Sequence, residues 1–278
     1  MPEGLDRITV FIDVQQTSLW YVVAAWGQGF SGAIVDYGVW PEQGQRYFTL
    51  RSIRRTMQDI SPDAGLEAAL RHALEELTSQ IIDREYRRVD GAVLHAERVF
   101  IDAAWGQSTD PIYSFIRESR HPSILMPAFG RGVRASDNPM SEWAKKKGDI
   151  TGLNWRIRTP PGSVRYVAYD ANFWRSHIAA RLTTPVGDPG ALTLPAGTEQ
   201  THRMLAEHLT SEYRVRTQGR GRTVDEWKLR PGRDNHWWDS LVGTAVAASM
   251  LGIAAAGTTP TPARRAKRPR RRLQVSYE

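Results

Sequence analysis

Two aspartates in this chain follow the same apolar tripeptide, each at the end of a segment rich in strand-forming residues. The sequence VFID occupies Val10–Asp13 and recurs at Val99–Asp102. A carboxylate that ends a buried strand loses hydration, so it needs a hydrogen-bond donor, a cation or a metal ion as a partner. Two such carboxylates side by side repel, and one would keep its proton unless a cation lay between them. Mg²⁺ suits this arrangement, because it prefers hard oxygen ligands and retains water and phosphate oxygens.

A third acid usually completes a site of this kind, and Asp239 is the best candidate. It lies in RDNHWWDSLVGTAVAASMLG, in the first turn of a helix predicted over about residues 235–252. Gly243 and Ala247 follow it at helical spacing, on the same side of that helix. Small residues there would let the helix lie close against a sheet and bring Asp239 near the two strand ends. The alternative is that Asp239 only favours the positive end of its helix.

The predicted strands and helices must position these acids, and they alternate along most of the chain. Strands are predicted at 8–14, 19–26, 31–40, 98–104, 123–130 and 164–170, and a hairpin at 211–230. Helices are predicted at 61–82, with Ser61 as N-cap and Pro62 as first helical residue, and at 110–119, 171–182 and 235–252. Residues 130–163 lack periodicity and are predicted to form a long loop. The order predicts an α/β mixed sheet with helices on its faces, whose ligands gather beyond the carboxyl ends of strands.

Composition bounds the class of protein. The 278 residues include no cysteine, which excludes disulfides and thiolate metal sites. No run of about 18 apolar residues occurs and the N-terminus lacks the apolar core of a signal peptide, so we expect neither a membrane span nor secretion. The segment ARRAKRPRRR carries seven basic residues, which equal the whole formal net charge of +7. We therefore predict a nearly neutral folded domain over residues 1–257 and a basic, disordered tail over 258–278.

The order of the acids resembles a known family. Aspartates on the first strand, the fourth strand and the last helix follow the layout of ribonuclease-H-like nucleases. More narrowly, four segments resemble the nuclease domain of lambda-type phage terminase large subunits: FIDVQ, VFIDAAWGQSTDPIYSFI, LTSEY and RDNHWWDSLVGTAVAASMLG. The similarity runs in consistent order from about residue 5 to 255. It implies a ribonuclease-H-like mixed sheet flanked by helices.

The resemblance also implies an activity. Members cut concatemeric phage DNA during genome packaging as divalent-metal-dependent endonucleases. Carried over to this chain, Asp13, Asp102 and Asp239 become the catalytic residues and the ligands of two ions, Mg²⁺ or Mn²⁺. In two-metal hydrolysis one ion lowers the pKa of the attacking water and the other stabilises the leaving 3′ oxygen.

The same resemblance suggests partners. They are double-stranded DNA, a packaging ATPase domain, a small terminase subunit and a portal, all in the host cytoplasm. No GxxxxGK[ST] phosphate-binding loop occurs in the chain. We therefore expect a nuclease domain alone, which does not pump DNA by itself.

Three further residues are possible members of the site. Asp170 ends the strand in VAYDAN but could simply cap the following helix. Glu212 in TSEY is a similar candidate. Family members commonly carry Asn-Glu before the helix aspartate, whereas this chain has Asn235 and His236. His236 could contact phosphate, position water, or only cap and pack; the neighbouring Trp237 and Trp238 are predicted to be core.

Two basic segments are predicted to contact the DNA backbone, because phosphate binding requires Lys and Arg near the site. The first is the tip of the predicted hairpin, with Arg214, Arg216, Arg220 and Arg222. The second is Lys145–Lys147 in the predicted loop, for which a solvated loop is the alternative. The basic tail could attract DNA nonspecifically or dock to another packaging protein.

Two other functions are compatible with these features. A Holliday-junction resolvase or transposase-like nuclease on the same fold would act on branched DNA, a resolvase as a stable dimer. A non-catalytic DNA-binding packaging protein would carry a vestigial acidic cluster. The presence of all three aspartates disfavours this second alternative, because like charges held together are costly without a cation.

Overall fold

The computed structural model describes residues 1–104, 106 and 109–255. The strands are β1 Leu5–Val14, β2 Leu19–Gly27, β3 Gly32–Trp40, β4 Tyr86–Arg87, β5 Val93–Leu94, β6 Ala96–Asp102, β7 Leu125–Arg131, β8 Ile150–Gly152, β9 Trp155–Arg158, β10 Tyr166–Asp170, β11 Leu192–Thr193, β12 Glu212–Gly219 and β13 Arg222–Leu229. The helices are α1 Met57–Ile60, α2 Leu66–Ile82, α3 Thr109–Glu118, α4 Ala171–Leu182, α5 Glu199–Leu209 and α6 His236–Met250.

A mixed sheet forms the centre of the molecule. In the described part of the chain it has nine strands in the order β11-β3-β2-β1-β6-β7-β10-β9-β8. The first three predicted strands, β1, β2 and β3, form an antiparallel meander, and β6 joins β1 in parallel. Strand β7 then pairs in parallel with β6. Parallel neighbours need a crossover connection, and α3 provides it. The predicted α/β mixed sheet with helices on its faces is confirmed.

The two VFID segments lie side by side in this sheet. Val10 pairs with Val99, Phe11 with Phe100 and Ile12 with Ile101. The repeated sequence is therefore also a repeated position in two neighbouring parallel strands. Because side chains alternate between the faces of a sheet, the aspartates that follow emerge on the same face and at the same edge.

Helices cover both faces of the sheet. Helices α1, α2 and α3 pack on one face, and α4, α5 and α6 pack on the other. Helix α6 lies directly across β1 and β2. A Cβ atom at Gly243 would overlap the ring of Phe11, so this helix approaches the sheet as closely as glycine permits. The predicted close approach at Gly243 is confirmed.

Two sequence predictions were wrong in detail. Helix α2 begins at Leu66 after an N-cap at Gly65, not at Ser61 and Pro62. Ser61 instead ends α1, where its N–H donates to the carbonyl of Met57 at 3.1 Å. The segment 130–163 is not only a loop, because β8 and β9 form a hairpin that extends the sheet beyond β10.

Other elements were confirmed or missed. The hairpin over 211–230 exists as β12 and β13, a separate two-stranded sheet. Helix α5 was not predicted from the sequence. The predicted basic tail, residues 258–278, lies outside the described residues. Within the described residues, no helix has the length and apolar character that crossing a bilayer requires.

Candidate active site

The three predicted aspartates meet at one cavity. It has a volume of about 200 Å³ and lies where β1 and β6 end below the start of α6. Asp13, Asp102 and Asp239 line it, together with Arg175 and Tyr169. A second cavity of about 450 Å³ adjoins it at Asp102 and is bordered by the turn between β1 and β2. The predicted third acid therefore does reach the two strand ends.

Asp13 is held by two side chains. The residue is only 4% exposed, and its Oδ2 accepts a hydrogen bond from Gln15 Nε2 at 2.9 Å. His236 Nδ1 lies 2.8 Å from the same oxygen. Burial alone would lower the pKa of His236, but the hydrogen bond and charge of Asp13 raise it above its ordinary value. The carboxylate of Asp13 thus stabilises the charged form of the imidazole.

Asp102 is the acid with the least compensation. Burial raises its pKa to about 8, and the negative charges of Asp13 and Asp239 act in the same direction. The backbone N–H of Ala104 donates to its Oδ1 at 3.2 Å, which offsets only part of this cost. An acid in this state either keeps its proton or needs a cation beside it.

Asp239 is paired with a buried arginine. Burial raises the pKa of Asp239 to about 6, although the positive charge of Arg175 opposes this shift. The guanidinium of Arg175 bridges Asp239 and Glu212, with its Nε 2.7 Å from Glu212 Oε2. Asn235 Nδ2 donates to both acids, at 3.0 Å to Asp239 and 2.8 Å to Glu212. Glu212 therefore orients the arginine and does not itself line the cavity.

The donor chemistry of the cavity fits a divalent cation. Three carboxylates line one cavity, and burial together with the negative charges of Asp13 and Asp239 raises the pKa of Asp102, so a cation beside it would stabilise its charged form. As they are placed, no group of three or more His, Asp or Glu side chains among the described residues is arranged to hold a metal ion. The carboxylate oxygens of Asp13 and Asp239 face protein donors instead: Gln15 and His236 on Asp13, and Arg175 and Asn235 on Asp239.

Asp170 has a structural role. Its side chain accepts from the backbone N–H groups of Asn172 at 3.0 Å and Phe173 at 3.3 Å, so it is the N-cap of α4. This was the alternative that its position in the sequence left open. It does not line the cavity of the three aspartates. Trp237 and Trp238 are buried, as predicted.

The basic residues of the hairpin differ in their availability. Arg214 and Arg216 both pair with Asp225, at 3.4 and 3.3 Å. Arg222 donates to backbone carbonyls of the segment 134–137 and so ties the hairpin to the loop that follows β7. Arg220 is exposed at the turn, with a φ of 50°.

The three predicted lysines are exposed, in the segment before β8. The backbone of Lys146 is held locally, because its N–H donates to Asp149 Oδ2 at 3.0 Å. The side chains of Lys145–Lys147 are directed by no ion pair within the described residues. They remain candidates for phosphate contact.

Sequence reasoning missed Arg175, although a signal existed. Arg175 follows Ala171 by four residues and precedes Ile178 by three, so it shares the apolar face of α4. An arginine on the buried face of a helix requires an acidic partner. That partner could not be identified locally, because Glu212 and Asp239 are distant in sequence.

Comparison with known proteins identifies the family. The family model "Terminase large subunit gpA, endonuclease domain" matches residues 1–259. Among solved structures, the chain is similar to a mutant nuclease domain of the large terminase subunit gp2 of bacterial virus Sf6, solved with manganese. The two share 12% identity with a TM-score of 0.43, over 87% of this chain and 89% of that one. A comparison with curated proteins found no match. On the match over residues 1–259, the chain belongs to the family of terminase large subunit gpA endonuclease domains.

Proposed function

We propose that this domain cuts concatemeric phage DNA during genome packaging, as a divalent-metal-dependent endonuclease. Membership of the family supports a phage DNA endonuclease. The observation that carries the metal-dependent mechanism is the convergence of Asp13, Asp102 and Asp239 on one cavity, where their charges are incompletely balanced. Phosphodiester hydrolysis at such a site needs no covalent enzyme intermediate.

The three aspartates would hold Mg²⁺ or Mn²⁺ in this proposal. Two bound ions would supply a water of lowered pKa and stabilisation of the leaving 3′ oxygen. The chain's own contribution is to hold the carboxylates in place before DNA arrives. Gln15 and His236 fix Asp13 from one side. Fixed side chains of this kind reduce the reorganisation that a reaction requires.

Asp239 is fixed from the other side of the cavity. Arg175 and Asn235 donate to its two oxygens, and both also bind Glu212. This network places one guanidinium between two buried acids and so offsets part of their negative charge. Arg175 thereby acts as a positioning residue for Asp239, in the manner of the outer partners that orient metal ligands.

Double-stranded DNA is the proposed substrate. Arg220 and Lys145–Lys147 are exposed and would bind phosphates, whereas Arg214 and Arg216 would exchange Asp225 for a phosphate. Arg222 supports the hairpin instead of binding DNA directly. We further propose a packaging ATPase domain, a small terminase subunit and a portal as partners in the host cytoplasm. The nuclease domain would cover residues 1–257, followed by a basic tail.

Plasmid cleavage tests this function. Supercoiled DNA incubated with Mg²⁺ or Mn²⁺ should be nicked and linearised, and EDTA should prevent both. Asp102→Asn should reduce the rate by about 10³-fold or more, because metal stabilisation of the transition state contributes several kcal/mol. Asp63→Asn, which changes an exposed acid outside the cavity, should cut at the wild-type rate.

Two results would contradict the proposal. Cleavage that persists in EDTA would remove the metal from the mechanism, and undiminished cleavage by Asp102→Asn would remove the acid from the site. A strong preference for four-way junctions over linear duplex, together with a stable dimer, would instead indicate a resolvase.

A further inference from the structure

A second basic surface borders the candidate active site. We call residues 41–56, PEQGQRYFTLRSIRRT, the arginine loop. It contains Arg46, Arg51, Arg54 and Arg55 and a single acid, Glu42. All four arginines are exposed. Since the basic tail accounts for the whole net charge of the chain, this cluster is a local concentration on an otherwise nearly neutral domain.

The backbone of the arginine loop is held by its own hydrogen bonds. The buried Gln43 accepts from the N–H groups of Arg54 and Arg55 at 2.9 and 3.1 Å, and donates to the carbonyls of Pro41 and Arg55, both at 2.8 Å. Phe48 is only 7% exposed and belongs to the core. The arginine loop therefore has a backbone conformation that is fixed by hydrogen bonds and by the packing of Phe48.

The arginine side chains take little part in that structure. Among the described residues, none of the four forms an ion pair with an acid, and only Arg55 donates to the protein, at 3.2 Å to the Glu42 carbonyl. Some arginines elsewhere are paired, such as Arg71 with Glu75 and Arg84 with Asp36, whereas Arg117 and Arg120 are exposed without an ion pair among the described residues. What distinguishes the arginine loop is that four such side chains lie within ten positions of one another. Four unpaired charges on a fixed backbone repel one another unless an anion is bound. The arrangement therefore indicates an anionic ligand.

Contacts place the arginine loop beside the aspartates. The N–H of Leu50 donates to Asp234 Oδ2 at 2.7 Å, immediately before Asn235 and His236. Leu50 also lines the second cavity together with Asp102 and the turn between β1 and β2. The loop reaches the candidate site from the side of that turn.

The hairpin approaches the same site from elsewhere. Arg222 anchors it to the segment 134–137, just beyond Gly130 and Gly132, which line the first cavity. Asp102 borders both cavities, the one that Leu50 lines and the one next to the hairpin's attachment. A ligand that spans both cavities would contact both basic regions.

We propose that the arginine loop binds phosphates of duplex DNA on the opposite side of the cut site from the β12–β13 hairpin. The inference rests on the proposed function, because it takes DNA as the ligand at Asp102. Guanidinium groups suit this task, since their planar donors match two phosphate oxygens at once. Phosphate contacts on both sides of the scissile bond would fix the register of the duplex without reading its sequence.

The salt dependence of DNA binding tests the arginine loop. The affinity of the whole chain for a labelled 30-base-pair duplex is measured in EDTA by fluorescence anisotropy over a range of NaCl concentrations. Each lost phosphate contact reduces the magnitude of the negative slope of log K against log [NaCl] by about 1. Arg51→Gln/Arg54→Gln should therefore make the slope less negative by about 2 relative to the wild type.

Two variants serve as controls. Arg117→Gln/Arg120→Gln removes the same charge from exposed positions at the end of α3, at the other end of β6, and should keep the wild-type slope. Arg51→Lys/Arg54→Lys keeps the charge and should retain most of the slope. Circular dichroism and the thermal midpoint establish that each variant is folded.

The outcomes separate this inference from the proposed function. An Arg51→Gln/Arg54→Gln slope equal to that of the α3 control would overturn the inference and assign the surface to another acidic partner. Equal losses in the lysine and glutamine variants would overturn it as well, because they would indicate a structural role. If the wild type cleaves plasmid while either result holds, only the arginine loop is misassigned; if the wild type neither binds nor cleaves DNA, both proposals fail.

Discussion

The two faces of the central sheet are built from different chemistry, although the same strands supply both. On β1, Val10 and Ile12 point toward α2 and enter an aliphatic core. Thr9, Phe11 and Asp13 point the other way, toward α6. The face under α4, α5 and α6 carries tryptophans, histidines and buried charges, and the candidate site opens from it.

This difference separates stability from positioning. The aliphatic face buries mostly apolar surface, which stabilises the fold. Its few buried polar groups, such as the hydroxyls of Thr78 and Tyr86, donate to nearby backbone carbonyls. The other face buries Arg175, whose loss would leave Glu212 and Asp239 facing each other without a cation. Buried ion networks seldom add net stability, but they fix geometry. The aliphatic face thus offsets what the polar face costs.

The largest effect on stability is expected at the buried arginine. Arg175→Gln should lower the free energy of unfolding in EDTA by about 3–5 kcal/mol, because it leaves two buried acids uncompensated. Mn²⁺ should restore part of this loss, since the cation would then be the main positive charge beside Asp239. Urea unfolding followed by tryptophan fluorescence, in EDTA and in Mn²⁺, measures both quantities.

A second buried arginine gives the matched control. Arg156 is 1% exposed and binds the carbonyls of Met140, Trp143 and Ala144, away from the three aspartates. Arg156→Gln should also be destabilising, but Mn²⁺ should give it no more stabilisation than it gives the wild type. An equal response of the two variants to Mn²⁺ would show that Arg175 has no relation to a metal site.

A pair of core substitutions tests the separation of the faces directly. Leu74→Ala, on α2, should cost about 2–5 kcal/mol through the lost burial and the cavity, yet leave cleavage per folded molecule unchanged. Gly243→Ala should cost about 1–3 kcal/mol, because the added methyl group overlaps Phe11. It should also slow cleavage, since relief of that overlap moves α6 and with it Asp239. Equal cleavage rates for the two variants, normalised to folded protein, would contradict the separation of stability and positioning between the two faces.

The sequence predicts the strands and helices better than it predicts the contacts between residues that are distant in the chain. The VFID strands and α6 were predictable because alternation, helical spacing and Gly243 are local signals. The hairpin of β8 and β9 was missed because its strands span only three and four residues, too short for periodicity to be seen. Arg156 lies buried in β9. A charged residue at that position favoured a loop in the sequence-based prediction.

The candidate site was predictable in part. Asp13, Asp102 and Asp239 could be chosen as strand-end and helix-start acids, and the structure brings them to one cavity. Arg175 and the arginine loop were missed, because their significance depends on residues far away in the sequence. For Leu50 the decisive contact is with Asp234, 184 positions later.

The smallest expected effect concerns a histidine on the polar face. His177 lies among aromatic rings, with the Phe30 ring centroid 4.6 Å away, and burial lowers its pKa from 6.5 to about 4, assisted by Arg181. The unfolded chain binds this proton near the ordinary value and the folded protein does not, so stability falls as the pH drops from about 6.5 toward 4. Between pH 7 and 4.5 the wild type should lose about 1–2 kcal/mol more unfolding free energy than His177→Leu. His72→Leu, on α2 of the aliphatic side and half-exposed, should show the wild-type loss; if it matched His177→Leu instead, the pH dependence would not arise from burial on the polar face.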